Sequence, residues 1–310
     1  TGNISTAGLG SEALFLYTSN RNTTTITGNI LTAGNQAPGI YLRGDGILDN
    51  SFNTVTMQGD ISTTNTSSSG ISIATGSNDN TISMEGNITT SEIGSDGIEI
   101  IQSSNRNVIT MTGNIVTNAT GGQSTGIFIQ RESDSNTINM TGNISTAGIN
   151  GFGFGIFESD SNTTNITGYI TTAGSAGFGI FLNAQGISRA RISNNTTTLT
   201  GNISTTGQFA FGVYLLNADS NTTSITGNIS TTGQDGLGVY LANADNNTLV
   251  INGNISTSDT GGNAEPILLE GSDSNTFTLS GAVHSLGGDQ AIAVNATSQN
   301  NTFTFKQGAS

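Results

Sequence analysis

Apolar and polar residues alternate along this chain in short runs, and the runs come in sets of three. The first run of each set is a Gly-Asn-Ile-Ser-Thr unit, as at Gly201-Asn202-Ile203-Ser204-Thr205. The second is a Gly-Ile-Tyr-Leu type run, such as Gly39-Ile40-Tyr41-Leu42, Gly126-Ile127-Phe128-Ile129 or Gly238-Val239-Tyr240-Leu241. The third opens on Asn-Thr and alternates, as in Asn136-Thr137-Ile138-Asn139-Met140. Period-2 alternation of Ile, Val, Thr and aromatic residues, bounded by Gly, Asn, Asp and Ser, predicts strands. No stretch keeps helical apolar spacing beyond two turns, so the chain reads as all-β.

The set of three recurs at a fixed period. Gly-Asn-Ile stands at residues 2, 28, 86, 113, 142, 201, 227 and 253, with drifted copies at Gly59-Asp60-Ile61, Gly168-Tyr169-Ile170 and Gly281-Ala282-Val283. Successive copies are 26 to 33 residues apart. A period of this size marks a solenoid, whose repeats stack and do not fold alone. Three strands per coil, paired in parallel, predict a single-stranded parallel β-helix of eleven rungs, a rod of about 53 Å at about 4.8 Å per rung. The period never breaks, so residues 1–310 read as one domain. Loop extensions are expected at Asn183–Arg191 and Arg43–Asn50.

Columns across the repeats predict which side chains face inward. The last apolar position of the third run reads Ile26, Met57, Met84, Met111, Met140, Ile166, Leu199, Ile225, Ile251, Leu279 and Phe305, and holds all four methionines of the protein. Two more inward columns run from Ile40 and Leu42 to Ile267 and Leu269, and the Ile of Gly-Asn-Ile supplies a fourth. Thr24, Thr164, Thr197 and Thr223 also fall inward, and their hydroxyls are expected to bond to backbone or to each other. One polar column is as regular. It comprises Asn22, Asn53, Asn80, Asn107, Asn136, Asn162, Asn195, Asn221, Asn247, Asn275 and Asn301. Asparagine accepts left-handed turn geometry and bonds its amide to like residues above and below, so this column is expected to form a ladder at a tight corner. Many of these residues also lie in Asn-X-Ser/Thr sequons, for which the ladder is the preferred reading.

With its Asn-Thr-Ile-X-Met-Thr-Gly-Asn-Ile-Ser-Thr and Gly-Ile-Phe-Ile columns, the whole chain resembles the passenger region of a bacterial autotransporter adhesin, and parallel β-helix repeat proteins more widely. The resemblance implies a right-handed helix, exported and displayed on the bacterial surface or secreted. The chain opens and closes on a rung without signal peptide or β-barrel, and is expected to be a segment or processed form of a longer surface protein.

Composition narrows the chemistry. The absence of cysteine removes disulfides, thiolate metal sites and cysteine nucleophiles. No apolar run approaches the length of a membrane-spanning helix. A net charge of −14 with only seven scattered basic residues argues against nucleic acid and anionic membrane as partners. The acids Asp134, Asp160, Asp219, Asp245 and Asp273 sit in turns and read as solvated corners, with calcium as a lesser reading. Arg189 and Arg191 form the one basic pair, and His284 is alone. No catalytic cluster is evident, so the chain is expected not to be an enzyme and to need no metal or cofactor.

The second run suggests a surface instead. Phe128, Phe157, Phe181, Tyr214 and Tyr240 form an outward aromatic stripe over five consecutive rungs. Such a stripe suits sugar stacking, lateral contact with another rod, or plain rung-to-rung stacking. An outward Thr-X-Thr pattern, as at Thr23/Thr25 and Thr276/Thr278, is similar to that of ice-binding β-helices but is broken at Val108, Asn139, Asn165 and Val250. The reading from sequence is an extracellular adhesive or self-associating rod whose partners are itself or cell-surface glycans. A head-to-tail filament subunit is the alternative, and a polysaccharide-active enzyme or ice-binding protein stands further off.

Overall fold

The computed structural model describes residues 2–48, 50–184, 191–258 and 264–306. Three parallel sheets of eleven strands each run the length of the rod, and each rung gives one strand to each sheet. In the fifth rung these are Ile115–Thr117, Ile127–Gln130 and Thr137–Thr141. Among the described residues the one further sheet pairs Ile192–Ser193 with Ala218–Asp219. The eleven-rung parallel β-helix predicted by the repeat is the fold of the chain.

Register is like on like. Met57, Met84, Met111 and Met140 pair in succession, as do Ile61, Ile88, Ile115 and Ile144. A one-residue slip would turn each inward column to solvent, so burial on one face specifies the pairing. The columns from Ile40 and Leu42 to Ile267 and Leu269 are buried, and with the methionine column they form one continuous core.

The core holds a column that the apolar pattern did not show. The threonine two residues after each Gly-Asn-Ile isoleucine shares its facing, and Thr32, Thr63, Thr90, Thr117, Thr146, Thr172, Thr205, Thr231 and Thr257 are all buried. Some reach the backbone of the next turn: Thr90 Oγ1 donates to Ser95 O at 2.7 Å and Thr172 Oγ1 to Gly177 O at 3.0 Å. The expectation that inward third-run hydroxyls find partners is corrected. Thr164, Thr197 and Thr223 are buried and their Oγ1 atoms have no hydrogen-bond partner. In-register pairing commits the neighbouring strand carbonyls to the ladder, and the other flanking side chains of this column are apolar.

Two corner devices keep the rungs alike. The glycine that opens each first run is held at positive φ from Gly2 to Gly227, 143° at Gly142, and a Cβ there would collide with the carbonyl oxygen of Gly113 one rung away. Only glycine satisfies both demands. At the second corner the column from Asn22 to Asn301 is hydrogen-bonded rung to rung. Each backbone N–H donates to the Oδ1 of the next asparagine, at 2.9 Å from Asn53 to Asn80 and 3.0 Å from Asn80 to Asn107. The left-handed residue is the one before the asparagine, not the asparagine itself: Asp79, Arg106 and Ser135 have φ of 55°, 57° and 59°. The extension after Arg43 stands out from the rod, with Asp45 Oδ1 accepting the N–H groups of Ile47 and Leu48. Residues 185–190 of the other extension, Arg189 among them, lie outside the described residues.

Candidate functional site

The outer face of the second sheet departs most from the polar uniformity of the rod. Its middle column reads Tyr41, Ser72, Glu99, Phe128, Gly155, Phe181, Tyr214, Tyr240 and Leu268. A side column two residues on includes Arg43, Gln130, Phe157, Leu216 and Glu270. A third column, from the turn before each strand, includes Asp96, Thr125, Phe152, Phe178, Phe211 and Leu237; the N–H that follows each bonds to the carbonyl of the next.

The predicted aromatic stripe is corrected in two respects. Phe157 is not in the middle column: Gly155 pairs with Phe128 and with Phe181, while Phe157 pairs with Gln130. Two Gly-aromatic motifs compete in Gly153-Phe154-Gly155-Ile156-Phe157, and the structure uses the first, burying Phe154 and Ile156. Gly155 leaves a gap, and Phe157 leans over it edge-on to Phe128 at 4.9 Å and Phe181 at 5.0 Å. Phe128 and Phe181 are also not exposed, at 5% and 6%, because the turn column flanks them. Phe152 stacks on Phe178 at 5.3 Å and Phe178 on Phe211 at 5.0 Å. These three phenylalanines were missed from sequence, although a Phe-Gly step before the second run recurs at Phe152, Phe178 and Phe211.

Toward the C-terminal end the aromatics reach solvent. Phe181, Tyr214 and Tyr240 stack at 4.8 Å with rings 4° and 6° from parallel. The Tyr240 hydroxyl donates to Glu270 Oε2 at 2.5 Å. Burial pushes the Tyr214 phenol up to about 12, and burial and the bonded Glu270 carboxylate raise Tyr240 too, so both hydroxyls keep their protons. Tyr214, Tyr240, Asn243, Glu270, Asn295 and Thr297 line a cleft of about 440 Å³.

The N-terminal end is polar. Ser72 Oγ donates to Glu99 Oε1 at 2.6 Å, and the Thr125 N–H donates to Asp96 Oδ1 at 2.6 Å. Burial pushes the Asp96 carboxyl up to about 8, helped by the Glu99 charge. Glu99 is raised by burial too, against the pull of Ser72, Ser69 and Arg131. Thr125 is fully buried and its Oγ1 has no partner. A cleft of about 450 Å³ opens here, lined by Glu12, Gln36, Tyr41, Arg43, Ser72 and Glu99. Two carboxyls of raised pKa, one on a strand and one in the turn before it, were not apparent from sequence. Asp96 and Glu99 look like ordinary surface acids in sequence, but the turn column buries Asp96 as one of its own members and leaves Glu99 half-buried beside it.

Other sequence candidates fall elsewhere. The turn aspartates act structurally: Asp134, Asp160, Asp219, Asp245 and Asp273 each accept an N–H of the next rung at 2.6 to 2.8 Å. Arg191 has acids beside it in space if not in sequence, meeting Asp219 at 2.6 Å and Asp245 at 3.6 Å. His284 pairs with Ser256 on the outer face of the first sheet. A groove of about 760 Å³ lies on that sheet over Leu31, Asp60, Asn87 and Val116. Among the described residues no group of three or more His, Asp or Glu is placed to hold a metal ion, and no helix is long and apolar enough to cross a membrane.

No family model matches the chain, and no curated protein matches it. Among solved structures it is similar to the crystal structure of a double mutant of a periplasmic alginate epimerase, with a TM-score of 0.40 and 12% identity over 96% of this chain and 73% of that one. The expectation that the chain is not an enzyme is set against this similarity to an alginate epimerase and is not kept. At that level of similarity no activity, substrate or residue role passes from one chain to the other.

Proposed function

We propose that this β-helix is a glycan-binding rod of a bacterial surface, adhesive in the manner of the autotransporter passenger regions it resembles, and that the outer face of the second sheet is its binding face. One observation carries the reading. Tyr214 and Tyr240 stack in parallel beside a cleft that also holds Glu270, Asn243 and Asn295. Both faces of Tyr214 are taken by Phe181 and Tyr240, so the ring edges and the Tyr240 face turned away from Tyr214 are what the stack offers to the apolar face of a sugar ring, while carboxylate and amide groups bond its hydroxyls. Calorimetry against a panel of neutral and charged oligosaccharides tests it. Tyr214→Ala with Tyr240→Ala is expected to abolish binding while the fold is kept; absence of any glycan binding by the parent chain overturns it. Lateral contact between rods would use the same rings, and sedimentation without glycan separates that occupant from a sugar.

A second reading is favoured by the other end of the face. Asp96 and Glu99 are two carboxyls of raised pKa, and Glu99 lines a cleft with Tyr41 and Arg43, a combination suited to proton transfer on a bound glycan. Release of reducing ends from a polysaccharide, lost in Glu99→Gln, is the outcome it requires.

A further inference from the structure

We infer that the two clefts on this face are subsites for a glycan whose sugars carry positive charge, an amino-sugar polymer laid along the rod axis. The inference rests on the glycan-binding reading and narrows it to a substrate class.

Each cleft joins a tyrosine to a carboxyl group. At the C-terminal end these are Tyr240 and Glu270, and among the described residues none of those lining the cleft is basic, the nearby Arg191 being held by Asp219 and by the carbonyl of the lining residue Asn243. A carboxylate accepts about four hydrogen bonds, so the single bond from Tyr240 leaves capacity for an ammonium group. At the N-terminal end Tyr41 lies with Glu12 and Glu99, and Arg43 is the one basic residue in the lining. Glu99 is partly buried, with Asp96 behind it and Arg131 nearby, and a ligand bringing a positive charge would stabilise its ionised form. An acidic sugar would meet three carboxyl groups and one guanidinium across the two clefts, on a chain of net charge −14. That field repels anionic polymers and steers cationic ones toward the rod.

The clefts share the same outer columns, with the aromatic cluster around Phe157 and Phe181 between them. A polymer that spans this stretch engages both clefts at once, so the second contact becomes intramolecular and raises the apparent affinity. A short oligomer fills one.

The test is calorimetry with a glucosamine hexamer and its fully N-acetylated counterpart, at low and physiological salt. The parent chain is expected to bind the amine form at least about tenfold more tightly, with the preference shrinking as salt rises. Glu270→Gln with Glu99→Gln should erase the preference and leave the acetylated form unaffected, whereas Tyr240→Ala should weaken both. A long glucosamine polymer should bind more tightly per chain than the hexamer, and Glu99→Gln alone should remove part of that gain. Equal affinity for both hexamers, or a preference that survives the double glutamine variant, overturns the inference and leaves the glycan-binding reading standing. If neither oligomer nor the wider panel binds, both fall. Circular dichroism of each variant reports whether the fold is intact.

Discussion

Asn107 and Asn136 are joined twice across one rung: the Asn107 backbone N–H donates to Asn136 Oδ1 at 2.8 Å, and its Nδ2 donates to the same oxygen at 3.1 Å. The Nδ2 also donates to Ser77 O of the rung on the other side, at 2.8 Å. One side chain therefore bonds to both neighbouring rungs, and it is fully buried.

Replacing that acceptor is expected to be costly. Asn136→Ala leaves the Asn107 N–H and the Ser104 carbonyl without partners. Buried unsatisfied groups cost about 1–3 kcal/mol each, so a loss of about 3 kcal/mol in denaturant unfolding is predicted. Asn114→Ala removes an acceptor from the exposed asparagine column of the first corner, where water substitutes, and should cost under about 1 kcal/mol.

Glycine at the first corner should tolerate nothing larger. Gly142→Ala places a Cβ against the Gly113 carbonyl at a φ that side chains rarely adopt, and is predicted to prevent accumulation of folded protein. Gly10→Ala has positive φ but open space around it, and should cost only about 1 kcal/mol in thermal unfolding.

The unpartnered core threonines predict a gain. Thr197→Val and Thr223→Val keep the β-branched shape and remove a buried hydroxyl with no partner. Each is expected to stabilise the rod by about 1 kcal/mol. A loss of similar size in the melting curve would show that these hydroxyls are paired in solution.

Stability should respond to pH through Asp96. Its carboxyl holds a proton to about pH 8 in the folded chain, whereas an unfolded aspartate releases it near about pH 4. Between those values the folded state binds more protons than the unfolded state, so stability is full below about pH 4 and falls as pH rises toward 8. Glu99, also raised, adds to the same slope, while Arg131 opposes it. Asp96→Asn is predicted to flatten the decline in urea titrations taken across this window.

The rungs were legible because burial and period act together on them. Met84 and Met111 share a column 27 residues apart, and only one facing of that column buries both. Facing was harder where two registers satisfy the same alternation. Gly153-Phe154 and Gly155-Ile156 both open such a motif, but the first turns Phe154 and Ile156 inward whereas the second would turn Ile156 and Glu158 inward, placing a carboxylate in the apolar core. Thr32 and its equivalents escaped notice because threonine suits either face of a strand, and the hydrophobic pattern marks only residues that avoid water. The outer layer of Phe152, Phe178 and Phe211 lies in turns, where strand alternation carries no information. The raised pKa of Asp96 follows from its own burial in the same turn column, beside Glu99, and was hidden for the same reason.

In-register stacking also makes the rod a ruler with a fixed graduation. Duplicating one whole unit, such as the 26 residues from Gly201 to Thr226, would leave each inward column and each corner in phase. The distance between the Tyr41 and Tyr240 ends would grow by one strand spacing, about 4.8 Å, with no core residue changed. Reach along the axis can thus be adjusted by whole-unit duplication or deletion, independently of the chemistry at either end.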